Sequence, residues 1–163
     1  MELDVQKLSK KTKMQKYGCL MIAILSFVIM VEELILVWTS VVREGEINAD
    51  FLSYAVYAFG AFGFTYMLWK IFRDIDIDRK PFAKKIIKTL RVMELWTVVF
   101  AFVPSIFVQL VTTGFAGEPE LDFVQVFMRG ENFFILLLAI GIGLIREIFV
   151  YGDALQEDND SIA

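Results

Sequence analysis

The sequence predicts an all-α membrane protein: four transmembrane helices in an up-down bundle, with the N and C termini both cytoplasmic. Three observations predict it. The chain is 57% hydrophobic and 22% charged, with a mean hydropathy of +0.60. Charges that numerous in so apolar a chain must be segregated. Four apolar runs, residues 18–42, 51–72, 86–111 and 132–151, reach the about 20 residues a helix needs to cross a ~30 Å hydrocarbon core. Lysine and arginine alternate in density along the chain. Five precede the first span (Lys7, Lys10, Lys11, Lys13, Lys16) and eight crowd residues 70–91 (Lys70, Arg73, Arg79, Lys80, Lys84, Lys85, Lys88, Arg91), whereas the segments after the first and third spans hold only Arg43 and Arg129. With Arg146, fourteen of the sixteen fall on one side of the membrane. Short loops rich in Lys and Arg stay in the cytoplasm.

This divides the chain into a basic cytoplasmic arm (1–17), a four-span membrane domain (18–151) with a cytoplasmic basic loop (73–85), and an acidic cytoplasmic tail (152–163). The segments outside the spans are too short to bury a soluble core, so no extramembrane catalytic domain is expected. The outer segments carry Glu44, Glu46, Asp50, Glu118, Glu120, Asp122 and Glu131. Cys19 is the sole cysteine, which leaves no intrachain disulfide.

Taken in order, the arm carries Val5, Leu8 and Met14 at loose helical spacing. It reads as a solvated tail that orients the first span, or as an interfacial helix on anionic lipid. The first span is long and holds Glu32-Glu33, which marks it as an uncleaved span rather than a signal peptide. Both carboxylates lie about 21 Å in from residue 18. Charges at that depth usually face a bundle interior or water. Adjacent residues diverge by about 100° on a helix, so one carboxylate snorkels while the other faces inward, as a structural group or as a proton or cation site.

The second span is rich in small residues (Ala55, Ala58, Gly60, Ala61, Gly63), which let membrane helices approach closely. Trp69 stands where an interfacial aromatic belongs. Tyr54 and Tyr57 match Glu32 and Glu33 in depth and offer them hydroxyls. Beyond it, Asp74, Asp76 and Asp78 alternate with Ile75 and Ile77, which suggests an extended turn. Pro81 suits the first turn of the next helix. There Phe82, Ile86, Ile87 and Leu90 share one face and Lys84, Lys85, Lys88 and Arg91 the other, a basic amphipathic lead-in at the membrane surface.

The third span contains Glu94, Gln109 and Pro104, and the proline predicts a kink. Leu121, Phe123, Val126 and Phe127 suggest a short amphipathic piece at the outer surface. In the fourth span Ala139 and Gly143 form a second packing face. Arg146 lies at roughly the depth of Glu94, and a pair would offset the cost of burying both.

Familiar catalytic patterns are missing from the sequence. There is no P-loop, no dinucleotide-binding glycine motif after a strand, no HExxH and no Cys/His metal set. With no histidine in the chain, a serine-histidine triad is impossible. Aromatic residues among basic ones mark the membrane interface here rather than a nucleic-acid surface. No cofactor and no enzymatic activity are expected.

Two stretches carry a resemblance. Asp78-Arg79-Lys80-Pro81-Phe82, followed by Leu90-Arg91, is similar to a "G-K-P-F … L-R" motif, with Arg79 in place of Gly. The ending from Ile148 through Phe149, Gly152, Leu155, Gln156, Glu157, Asp158 and Asp160 to Ile162 resembles "F-x-x-G-x-x-L-Q-x-E-x-D-x-x-I". Both resemble a bacterial family of small four-span membrane proteins of unknown function, often neighbouring small helix-turn-helix regulators of the Cro/C1 type. The resemblance implies an inner-membrane location, a regulatory partner and no known enzymatic activity.

The functional expectation is a non-enzymatic sensory or regulatory membrane protein. Arg79, Lys80, Pro81, Phe82, Lys84 and Lys85, with Leu155, Gln156 and Glu157, would bind a soluble partner such as a small transcriptional regulator, with no direct contact to nucleic acid. The tail is expected to dock on the lead-in helix, with Leu155 and Ile162 against Phe82 or Ile86. The alternative is a small transporter or bacteriocin-immunity-like protein that uses Glu32 or Glu33. Homo-oligomerisation is open.

Overall fold

The structure, a computed structural model, describes residues 2–78, 82–117, 121–122, 124 and 130–162. Four long helices make up the protein: α1 (Glu2–Glu44), α2 (Ala49–Asp78), α3 (Lys84–Phe115) and α4 (Gly130–Ile162). No strand occurs among the described residues. All four helices are long and apolar enough to cross a membrane. Each apolar run predicted as a span lies inside one of them.

The helices outlast the spans. At 43 residues α1 is about 65 Å long, twice the hydrocarbon thickness. The basic arm is therefore its continuation and not a separate tail. Likewise the acidic tail continues α4 as helix to Ile162.

The α1–α2 hairpin shows how the chain is turned. α1 ends on Gly45, whose φ of 74° suits a residue without Cβ. The Gly45 N–H returns to the Val41 carbonyl at 3.1 Å, the αL ending of a helix. Three residues on, Asn48 caps α2. Its Oδ1 accepts from the N–H groups of Asp50 (3.0 Å) and Phe51 (3.3 Å).

Packing follows chain order: α1 lies on α2, α2 on α3, and α3 on α4. Phe27 meets Phe62 at a centroid distance of 5.7 Å between α1 and α2. Between α2 and α3, Gly60 and Gly63 open gaps that Phe100 and Trp96 fill; a Cβ on Gly63 would stand 2.7 Å from the Trp96 ring. The Trp96 indole N–H donates to the Gly60 carbonyl at 3.2 Å. The small residues of the second span thus seat aromatics.

A buried cluster of Ile71, Ile86, Leu90, Met93 and Ile142 joins the basic ends of α2 and α3 to α4. Towards the opposite ends, Tyr57, Ser105 and Asn132 join the same three helices. The Tyr57 and Ser105 hydroxyls lie 3.4 Å apart, and Asn132 Nδ2 donates to Ser105 Oγ at 3.4 Å. α1 keeps most of its apolar surface exposed, including Met21, Leu25, Ile35 and Trp38. Contiguous apolar surface on that scale belongs against lipid.

Three expectations are corrected. Asp74, Asp76 and Asp78 do not form an extended turn, since α2 stays helical through Asp78. Ile71, Asp74 and Ile75 share its inward face at helical spacing. Ion pairs from Asp74 to Arg73 and Lys85, and from Asp76 to Lys16, offset the carboxylates there. α3 begins at Lys84 with Ala83 as its N-cap, so the first turn starts after position 81. Tyr57 turns to Ser105, and no hydrogen bond joins Tyr54 or Tyr57 to Glu32 or Glu33. Pro104, where a kink is expected, lies inside α3 and is buried. Arg79, Lys80, Pro81, Phe123, Val126 and Phe127 lie outside the described residues.

Candidate functional site

Of the residues singled out in the sequence, Phe82, Lys84 and Glu157 come together where the basic lead-in of α3 passes the acidic end of α4. α3 presents its lead-in as the pattern predicts: Ile86 and Leu90 are buried, while Lys84, Lys85, Lys88 and Arg91 are exposed. α4 runs antiparallel to α3, so its last turns pass beside that lead-in.

Two contacts join them. Lys84 Nζ donates to Glu157 Oε1 at 2.6 Å. Both groups lie beyond the apolar runs. That hydrogen bond, reinforced by the ammonium charge, lowers the Glu157 pKa below the usual carboxylate value and raises that of Lys84. The second contact is apolar. Phe82, just ahead of α3, packs edge-on against Phe149 at 5.3 Å. Its ring also lies against Gly152, where a Cβ would stand 2.6 Å from Phe82 Cδ1.

The apolar contact therefore comes from Phe149 and Gly152, one turn before Leu155. Leu155 is 55% exposed and does not take that role. Helical geometry explains the difference: residues 149 and 152 share the face that already packs on α3, and residue 155 has rotated off it. The spacing F-x-x-G was the available signal. Gln156 and Glu157 are exposed, with Leu155 beside them.

Deeper in the same helix pair, Arg146 Nη1 donates to Glu94 Oε2 at 2.5 Å and Nη2 to Glu147 Oε1 at 2.7 Å. Gly143 leaves room for the carboxylate, since a Cβ there would stand 2.9 Å from Glu94 Oε1. The small residue at 143 and the carboxylate at 94 thus fit as one unit.

Glu32 and Glu33 stand apart from this site, in α1. Glu32 is exposed. Glu33 is half-buried, and its Oε2 is buried without a hydrogen-bond partner among the described residues. Among the described residues, no group of three or more His, Cys, Asp or Glu could hold a metal ion.

The family model described as "Protein of unknown function (DUF2975)" matches residues 6–162. No curated protein and no solved structure matches the chain.

Proposed function

We propose that this chain, which belongs to the DUF2975 family, is a non-enzymatic multi-pass membrane protein of the bacterial inner membrane. Its joined α3 lead-in and α4 tail bind a soluble cytoplasmic partner. One observation carries the reading: the tail is seated on the lead-in by Lys84–Glu157 and by Phe82 against Phe149 and Gly152. Lys84, Lys85, Leu155, Gln156 and Glu157 are all exposed, and the Lys84–Glu157 contact between the two helices supports reading them as one surface. Mixed charge with an exposed leucine suits a small protein partner, and a helix-turn-helix regulator of the Cro/C1 type is the class the sequence resemblance implies. The role is sensory or regulatory.

The test uses the full chain in native membranes. Truncation after Gly152 leaves insertion intact and abolishes chemical crosslinking to the soluble partner. It also raises the amine reactivity of Lys84. The Glu157 contact raises the Lys84 pKa; its loss lets that pKa fall and leaves more free amine at a given pH. Unchanged capture together with unchanged Lys84 reactivity would overturn the reading.

Orientation follows from the basic-residue asymmetry. In a Cys19→Ser background, Glu46→Cys and Ala116→Cys are expected to label with an impermeant maleimide on intact cells. Ile77→Cys is expected to label only after the membrane is opened. Labelling of position 77 alone on intact cells contradicts the orientation.

A second reading, a small transporter or immunity-like protein, is favoured by the buried Glu33 Oε2 that lacks a partner among the described residues. A carboxylate held unpaired at that depth is costly and suits a transported cation or proton. Under the first reading, Glu33→Gln leaves partner capture unchanged.

A further inference from the structure

We propose that the cleft between the basic end of α2 and the start of α3 binds the phosphate headgroup of an anionic phospholipid. The cleft has a volume of about 450 Å³ and its rim carries Lys70, Arg73, Lys85 and Lys88 against one carboxylate, Asp74. Asp74 is 4% exposed and already engaged. It accepts from Arg73 Nη2 at 3.2 Å, and Lys85 Nζ lies 3.8 Å away. Lys70 and Lys88, one from each helix, form no ion pair among the described residues. Two uncommitted ammonium groups facing one concavity, beside a third and fourth cation, are suited to a phosphate.

The walls select the ligand's other end. Tyr66 lies one turn below Lys70 on α2, and Val92 one turn below Lys88 on α3, with Met67 between them. Four residues of helix advance about 6 Å, from the charged rim towards the apolar zone. Trp69 marks the interface on α2, and the Arg73 guanidinium lies 5.0 Å over its ring. A free phosphate would meet the rim and leave Tyr66, Met67 and Val92 uncovered. A phospholipid fills both halves, with its phosphate among the lysines and its chains along the walls. Basic pockets between transmembrane helices are sites of this kind. Lys11 and Lys13 also lie near the basic end but outside this cleft, which makes them the control for interfacial charge alone.

The full chain, purified in neutral detergent, is titrated with dioleoylphosphatidylglycerol, with dioleoylphosphatidylcholine and with inorganic phosphate. Bound lipid is counted by native mass spectrometry. Phosphatidylglycerol is expected to bind one per chain, and the other two probes are not. Lys70→Gln with Lys88→Gln should weaken that binding roughly thirtyfold, at roughly fivefold per lysine. Lys11→Gln with Lys13→Gln should leave it unchanged. Val92→Trp, which fills the cleft from below and keeps all four cations, should also weaken it, and covers the case in which the double lysine variant fails to fold. Equal retention by the Lys70/Lys88 and Lys11/Lys13 variants overturns the proposal. So does binding that Val92→Trp leaves intact, or equal competition by inorganic phosphate at matched concentration.

Discussion

Arg146→Ala is expected to destabilise the protein, because removing one partner of a part-buried ion pair leaves the Glu94 carboxylate uncompensated. Arg146 and Glu94 are only a quarter exposed, at 25% and 28% of their side chains. The hollow beside them is bordered by Val92, Leu95 and Val98 and by Arg91. Glu94→Gln in the Arg146→Ala background should recover part of the loss, because it removes the orphaned charge and keeps the shape. Arg146 also donates Nη2 to Glu147, so Arg146→Ala removes both contacts and only the cycle with Glu94→Gln isolates the Glu94 share. A double-mutant cycle of unfolding free energy in detergent or bicelles reads the coupling. Strictly additive losses would mean that the pair contributes nothing.

The architecture was largely legible in the sequence, because a span must be long and apolar whatever it packs against. The four runs at 18–42, 51–72, 86–111 and 132–151 all lie in helices. Length beyond the membrane was less legible. Hydropathy falls sharply at the basic arm, at Asp74–Asp78 and at the acidic tail, yet the helical backbone continues through all three. The alternation of Asp with Ile looked like period two. In the structure Ile71, Asp74 and Ile75 recur at three and four residues, with the carboxylates held by Lys16, Arg73 and Lys85 from neighbouring positions. Of these partners Lys16 and Lys85 come from the helices before and after α2, so no local pattern could announce them.

At the candidate site, charge was legible and shape was not. Opposite charges at the start of α3 and the end of α4 pointed to an attraction, and Lys84 and Glu157 meet at 2.6 Å. What fixes the register is the fit of Phe82 onto Gly152. A glycine in a helix interior signals close approach without naming what approaches. The cleft that holds Lys70 and Lys88 was hidden for a related reason: two lysines eighteen positions apart converge only once α2 and α3 are packed.

Gly152→Leu is expected to lift the tail off the lead-in helix. Its Cβ would start 2.6 Å from Phe82 Cδ1 and 2.8 Å from Cγ, and Cγ is not the free end of the side chain. Phe149 stands edge-on to the same ring and limits its retreat. Overpacking of this kind costs about 1–3 kcal/mol, and an ion pair as exposed as Lys84–Glu157 returns too little to offset it. The ion pair should therefore be lost with the seat, and the composite surface with it. Zero-length carbodiimide coupling in native membranes tests this directly, because it joins an amine to a carboxylate only where they already touch. The wild-type chain should yield a Lys84–Glu157 linked peptide alongside a Lys16–Asp76 one; Gly152→Leu should lose the first and keep the second. A wild-type chain that yields the Lys16–Asp76 link and no Lys84–Glu157 link would contradict the docked tail.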